Sequence, residues 1–197
     1  MSSLILASAS PRRSELLRAA GIPHDILISA IDESVLGAEA PDAYVCRLAE
    51  AKAMAVAPRA HGRVVLGADT AVVIDGQILG KPADAADASR MLRLLSGRTH
   101  DVLTGVALVA ASTLSTPASP RVTSRLARTM VEFAPLDEQA IAWYVGSGEP
   151  MDKAGSYAIQ GLASRFVTRI SGSYANVVGL PVALVCEMMR DLGSPVA

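Results

Sequence analysis

Hydrophobic and polar positions follow two periods along this chain, and the switches between them mark out its elements. Leu4–Ala7 is a short apolar run, the pattern of a buried strand. Ser10 then offers a good N-cap and Pro11 suits the first helical position. Leu16, Leu17 and Ala20 follow at helical spacing before a stop at Gly21. Asp25–Ser29 predicts a second strand. Pro41–Ala57 predicts a strong helix, with Tyr44, Val45, Leu48, Ala51 and Val56 on near-helical spacing and Pro58 ending it. Val64–Ile74 predicts a buried strand, turned by Asp75-Gly76 into Gln77–Leu79. Ala83–Ser96 predicts a helix with Met91, Leu92, Leu94 and Leu95 inward and Gly97 as its stop. Strands near Thr99–Ala110 and Arg121–Phe133 flank "ASTLSTPASP", the composition of an exposed hairpin loop. A helix near Leu136–Val145, a Gly-rich region from Gly146 to Gly161, a strand near Arg165–Ile170, a loop and a helix near Pro181–Leu192 complete the pattern. Early alternation of strands and helices with a hairpin in the middle predicts an α/β fold with a mixed central sheet flanked by helices.

Composition narrows the picture. A chain of 197 residues suits a single domain, 1–197, built as one body or as two lobes around a shared core. Apolar residues make up 51% and aromatics 4%, so the core is built from Ala, Val, Leu and Ile. A net charge of −1 gives no general attraction to nucleic acid or to an anionic membrane, and scarce aromatics argue against a single-strand stacking platform. Cys46 and Cys186, both in helical stretches, fit a reducing compartment better than a disulfide scaffold. No apolar run approaches the ~20 residues of a membrane span, and no basic segment precedes the first apolar run as in a signal peptide. The expectation is a cytoplasmic protein with no membrane partner.

Several positions carry more chemistry than their surroundings call for. Arg12 and Arg13 occupy the first turn of a helix, where the dipole disfavours cations by roughly 0.3–1 kcal/mol each. An anion in that turn removes the penalty. Backbone N–H groups, Ser8 and Ser10, and two guanidinium forks would suit phosphate; two solvated arginines are the alternative. Asp69 lies inside the apolar strand "VVLGADTAVVID", where a carboxylate is rare unless paired or bound to a metal. Gly67 and Ala68 before it leave room for a ligand. Asp32-Glu33 follow the second strand, as a carboxylate pair that could take Mg²⁺ or Mn²⁺ or as a solvated acidic loop. "DGQILGKP" falls short of a phosphate loop: its glycines are too close and Pro82 stands where Ser or Thr would bind Mg²⁺, although Lys81 can still reach a phosphate. His24, His61 and His100 lack zinc-ligand spacing, and neither a Gly-x-Ser-x-Gly elbow nor a Gly-x-Gly-x-x-Gly fingerprint occurs. Tyr157 and Gln160 in "DKAGSYAIQG" offer a phenol and an amide, and an amide can read a base edge with a donor and an acceptor together. Of 18 basic residues only Lys52, Lys81 and Lys153 are lysines.

Seven blocks, "ASASPRRSELL", "IDE", "RLAEAKA", "LGADTAVVIDGQILGKP", "LSGRTHDVLTGVAL", "EPMDKAGSYAIQG" and "ISGSYANVVGLPV", resemble in that order the Maf family of nucleoside triphosphate pyrophosphatases, from about Leu4 to Val185. The resemblance implies hydrolysis between the α and β phosphates to a monophosphate and pyrophosphate, with Mg²⁺ or Mn²⁺, on a two-lobed α/β fold with a cleft, similar to the inosine triphosphate pyrophosphatases. It places Ser8, Arg12 and Arg13 on the phosphate motif, Glu33 on a metal-binding or catalytic acid and Lys52 and Lys81 on phosphate-binding lysines. Asp69 falls on the proton acceptor, and its place in a buried strand also makes it, with Glu33, a candidate metal ligand; Arg12, Thr70 and Gln160 fall on positions tied to substrate choice. The "GSYAIQG" form is similar to the branch acting on dTTP and UTP rather than the branch acting on 7-methyl-GTP. A homodimer is implied as well, together with a link to the arrest of septum formation. Two other functions therefore stand beside the pyrimidine enzyme: a non-catalytic regulator of division, and a pyrophosphatase for modified purine triphosphates.

Overall fold

The structure, a computed structural model, describes residues 4–110 and 121–193. In chain order the regular elements are β1 (Leu4–Leu6), α1 (Pro11–Ala19), β2 (His24–Ile26), α2 (Pro41–Val56), β3 (Val64–Ile74), β4 (Gln77–Leu79), α3 (Ala85–Leu95), β5 (Thr99–Ala110), β6 (Arg121–Phe133), α4 (Glu138–Gly146), β7 (Val167–Ser171), α5 (Tyr174–Val178) and α6 (Val182–Asp191). The strands form one mixed sheet in the order β2-β1-β3-β5-β6-β7, with β4 on β3. β1 is parallel to β2 and β3; the β3–β4 and β6–β7 pairs are antiparallel. This is the mixed α/β architecture that the hydrophobic pattern predicts.

By contacts the chain divides into two compact units. One comprises Met1–Asp69, Thr104–Ala127 and Gly179–Ala197; the other comprises Thr70–Leu103 and Arg128–Val178. The first unit shows how strand parity builds a core. Successive strand side chains point to opposite faces, so Leu4 and Leu6 join Leu66, Val106, Leu108 and the helix residues Leu17, Val185 and Met188. Ile5 and Ala7 join Val65, Ala107, Val109 and the α2 residues Ala49, Ala53 and Val56 on the other face. Helix α2 sits unusually deep there. A Cβ on Gly67 would lie 2.1 Å from the Ala49 carbonyl oxygen, and one on Gly105 would lie 2.2 Å from that of Val45. Those two glycines let the helix backbone rest on the strand backbones.

The second unit has its own core, in which Val72, Met91, Leu92, Leu95, Val102, Val131, Phe133, Tyr144, Tyr157 and Phe166 pack together. Its Gly-rich region is organised into short 3₁₀ turns at Glu149–Asp152, Ala154–Ser156 and Leu162–Phe166.

Several local expectations shift. β2 ends at Ile26 because the chain beyond it turns outward, leaving Ile28 61% exposed. Ser10 occupies the N-cap of α1 but makes no side-chain cap; its N–H donates instead to Ser8 Oγ at 3.2 Å. Asp84 and Asp137 cap α3 and α4, accepting from the N–H groups of Asp87 and Ala140, so both helices start later than their apolar pattern. α5, five residues long, lies where the sequence reads as loop, being too short to show a period. The Ser/Thr/Pro stretch around 111–120 lies outside the described residues.

Candidate active site

Strand parity decides where Asp69 points. Val65 and Gly67 face α2, so Asp69, two residues further on, faces α2 as well. Lys52 comes from α2, between Ala49 and Ala53, which pack on that face. The close seat on Gly67 therefore brings the two side chains together: Lys52 Nζ donates to Asp69 Oδ1 at 2.7 Å. Glu33 reaches in from the chain between β2 and α2, with Oε1 2.8 Å from the same ammonium. Its segment is tethered to α2 by Tyr44, whose hydroxyl donates to the Glu33 carbonyl oxygen at 3.0 Å.

Lys52 and Asp69 are both buried, at 7% exposure each, whereas the Glu33 side chain is about half exposed. Burial pushes the Asp69 carboxyl above its usual range, and the charges of Lys52 and Arg13 pull it back. One ammonium thus holds two carboxylates that would otherwise repel each other. Asp32 takes no part in this cluster. It accepts the Ser34 N–H at 2.9 Å in a local turn, which lowers its pKa.

The start of α1 carries its two arginines differently. Arg13 is turned inward: Nε donates to the Gly179 carbonyl at 2.9 Å, and Nη1 to the Ala68 carbonyl at 2.8 Å and to Ser8 Oγ at 3.1 Å. Burial lowers its pKa, and the nearby charges of Asp69 and Glu33 oppose the shift. Arg13 therefore braces β3 one residue before Asp69 and adds positive potential to the carboxylates. Ser8 is buried beside it and Arg12 is half-buried. First-turn acids, the usual partners of a helix N-terminus, are absent from α1.

Thr70, Lys81 and Gln160 belong to the second unit. Thr70 follows Asp69 directly on β3 and is half-buried; Lys81 and Gln160 are exposed. Gln160 sits at the third position of a turn closed by the Gly161 N–H on the Ala158 carbonyl at 3.0 Å. Tyr157, whose phenol the sequence offers beside Gln160, is instead buried beside that turn and spends its hydroxyl on His100. His100 Nε2 lies 2.8 Å from the Tyr157 hydroxyl, and both rings pack edge-on against Phe133. Burial pushes His100 down to about 4 and Tyr157 upward, so both are neutral at physiological pH. Glu149 accepts from Tyr144 Oη at 2.9 Å and from the Leu162 N–H at 2.9 Å. Lys153 pairs with the neighbouring Asp152 carboxylate and donates to the Glu149 carbonyl.

One further pair looks like chemistry and is not. Ser14 Oγ lies 2.9 Å from His24 Nε2, and His24 Nδ1 lies 3.0 Å from the Ile22 carbonyl. The carbonyl can only accept, so Nδ1 donates to it and Nε2 is left to share a hydrogen bond with the Ser14 hydroxyl. Ser14 is 1% exposed, and the pair ties α1 to β2 with no room for a substrate.

Comparison with known proteins places the chain. The sequence pattern described as Maf-like protein matches residues 3–192. A protein of Symbiobacterium thermophilum named dTTP/UTP pyrophosphatase is 51% identical over 199 residues, covering 100% of this chain and 97% of its own. One of Geobacter metallireducens with the same name is 51% identical over 193 residues, covering 98% and 97%. Among solved structures, the Ham1 protein of Staphylococcus aureus aligns over 96% of this chain and 98% of its own at 10% identity, with a TM-score of 0.49. A match along nearly the whole length, with relatives half identical from end to end, shows that the chain belongs to the Maf family.

Proposed function

We propose that this protein hydrolyses dTTP and UTP to the monophosphate and pyrophosphate. The observation that carries the chemistry is the buried Lys52 ammonium held between Asp69 and Glu33. The observation that favours these substrates is half identity, over the full chain, to relatives named dTTP/UTP pyrophosphatase.

Asp69 is the general base. Its desolvated carboxylate takes a proton from the attacking water as the new bond forms at the α-phosphorus. The bond from that phosphorus to the bridging oxygen breaks, and pyrophosphate leaves with the electron pair. Lys52, Lys81, Arg12 and Arg13 supply positive charge to the triphosphate and to the charge that builds on the leaving group, with Ser8 donating from beside Arg13. Thr70 and Gln160 read the base.

The donor set also suits a divalent cation. Glu33 and Asp69 already converge on one positive charge, and two carboxylates are what Mg²⁺ or Mn²⁺ uses when water and phosphate oxygens complete its shell. Glu33 and Asp69 would hold the cation, and it would neutralise phosphate charge at the scissile bond.

The test is pyrophosphate release from UTP, dTTP, CTP, 7-methyl-GTP and ITP with Mg²⁺ or Mn²⁺. Preference for UTP and dTTP is expected; preference for 7-methyl-GTP or ITP overturns the pyrimidine assignment. Asp69→Asn should lose about 10²–10⁴-fold in turnover with its circular dichroism unchanged. Near wild-type turnover in that variant removes Asp69 from the mechanism.

A further inference from the structure

Gln160 reads the base only if its backbone is aimed before the nucleotide arrives, and the structure fixes the chain on both sides of it. On the N-terminal side, the Gly155 N–H donates to the Gly80 carbonyl at 3.0 Å, and a Cβ on Gly155 would lie 2.8 Å from Val72. Ser156 is fully buried with φ of 60°, a conformation that a non-glycine residue holds only when its surroundings enforce it. Tyr157 is then pinned by its hydroxyl to His100 at 2.8 Å and by its ring to Phe133. On the C-terminal side, Glu149 accepts from the Leu162 N–H at 2.9 Å and from the Ala163 N–H at 3.4 Å. A carboxylate at the start of the 3₁₀ turn Leu162–Phe166 satisfies N–H groups with no partner inside the turn. Glu149 is itself held by the fully buried Tyr144, whose hydroxyl donates to Oε1 at 2.9 Å. Four residues, Ala158 to Gly161, bridge the two anchors, and they form the turn closed by the Gly161 N–H on the Ala158 carbonyl.

Gly161 shows how closely the Glu149 anchor is fitted. A Cβ there would lie 2.3 Å from Oε2 and 2.4 Å from Oε1 of Glu149. Its φ of −104° is not the left-handed conformation that favours glycine, so the close approach of the carboxylate is what an added Cβ would disturb.

We infer that Glu149 is a positioning residue for base selection: with Tyr157 and His100 it clamps the turn that presents Gln160, and Gly161 exists to admit its carboxylate. The inference rests on Gln160 being the base reader. A reader held in place spares the ordering cost of binding, and that saving favours the base whose hydrogen bonds the fixed geometry matches. Loss of the clamp therefore weakens selection and substrate binding more than it slows the chemical step.

The experiment measures kcat and KM for UTP and CTP in the full-length wild type and in Gln160→Ala, Glu149→Ala, Gly161→Ala and the Glu149→Ala/Gly161→Ala double variant. Gly161→Ala adds one methyl group that meets only the flexible end of Glu149 and evicts the carboxylate, so it stands in should Glu149→Ala fold poorly. Gln160→Ala is expected to lower the UTP-over-CTP ratio of kcat/KM. Glu149→Ala and Gly161→Ala should each lower that ratio about tenfold through KM for UTP, with kcat for UTP within about threefold of wild type, and the double variant should fall no further than either. Selection lost in Gln160→Ala but kept in both clamp variants overturns the inference and leaves the reader standing. Additive losses in the double variant also overturn it, because the two changes then do not empty the same bond. Unchanged selection in Gln160→Ala overturns the reader, and the clamp falls with it.

Discussion

The Lys52 cluster and the His100 cluster are both buried and polar, yet they solve burial in opposite ways. Lys52, Asp69 and Glu33 meet through ion pairs, one ammonium between two carboxylates, with the Arg13 guanidinium close by. His100 and Tyr157 shed charge altogether: burial holds both neutral, and one hydrogen bond plus edge-on ring contacts replaces ion pairing. The difference follows from the work proposed for each. Phosphate chemistry needs net charge at short range in a low-dielectric setting. A device that aims a side chain needs rigidity and no field of its own.

The sharpest way to break that contrast is to orphan a charge. Lys52→Met leaves Asp69 buried without its main partner, and removing one member of a buried pair costs about 3–5 kcal/mol. Urea unfolding at neutral pH should show a loss of that size, and Asp69→Asn in the same chain should recover most of it. A cost below ~1 kcal/mol for Lys52→Met would mean that the pair is not desolvated as described.

The second comparison point is pH. His100 is pushed from 6.5 to about 4 by burial. Between those values the unfolded chain binds a proton that the native chain refuses, so stability falls as pH drops from 6.5 toward 4. The shift amounts to about 3 kcal/mol once pH is below both values. Unfolding midpoints of wild type and His100→Gln, followed from pH 7 to 4, should converge as pH falls. Parallel curves would show that His100 takes up its proton within the fold.

A smaller effect tests the seat of α2. Gly105→Ala drives a Cβ onto backbone atoms, 2.2 Å from the Val45 oxygen and 2.7 Å from the Cys46 nitrogen, which no rotamer can relieve. Overpacking of this kind costs about 1–3 kcal/mol, read as a drop in Tm, with activity falling as α2 and its lysine lift away. An unchanged Tm would contradict the close approach. The smallest effect belongs to the surface: Arg93 and Glu138 pair at 2.7 Å with both side chains more than half exposed. Arg93→Ala should leave the urea midpoint close to that of wild type, because solvent screens such a pair.

The sequence reveals much of the charged cluster and little of the clamp. Asp69 stands out because a carboxylate inside an apolar strand needs a reason; the room at Gly67, which the sequence offers to a ligand, is taken instead by the α2 backbone at Ala49. Strand ends and helices with long apolar periods, β3 and α2 above all, are legible for the same reason: their burial writes a period into the chain. Arg13 is legible as an anomaly, but its inward turn onto Gly179 and Ala68 depends on residues far along the chain. Glu149 is invisible. A glutamate after a glycine in a loop looks like solvated charge, and only the fold brings Tyr144, Leu162 and Ala163 around it. His100 reads as a histidine without metal spacing, since nothing local announces that Tyr157 will meet it.

The glycines under α2 have a consequence for how this protein tolerates change. Neither Gly67 nor Gly105 has a side chain to offer a substrate, and both sit in strand interiors where an added methyl looks harmless. Yet each sets the height of the helix that carries Lys52 above the strand that carries Asp69. A screen for inactive variants would therefore recover them beside the charged residues. Conversely, a drifting lineage could dim its activity by degrees through these two positions while every charged group of the cluster stayed in place.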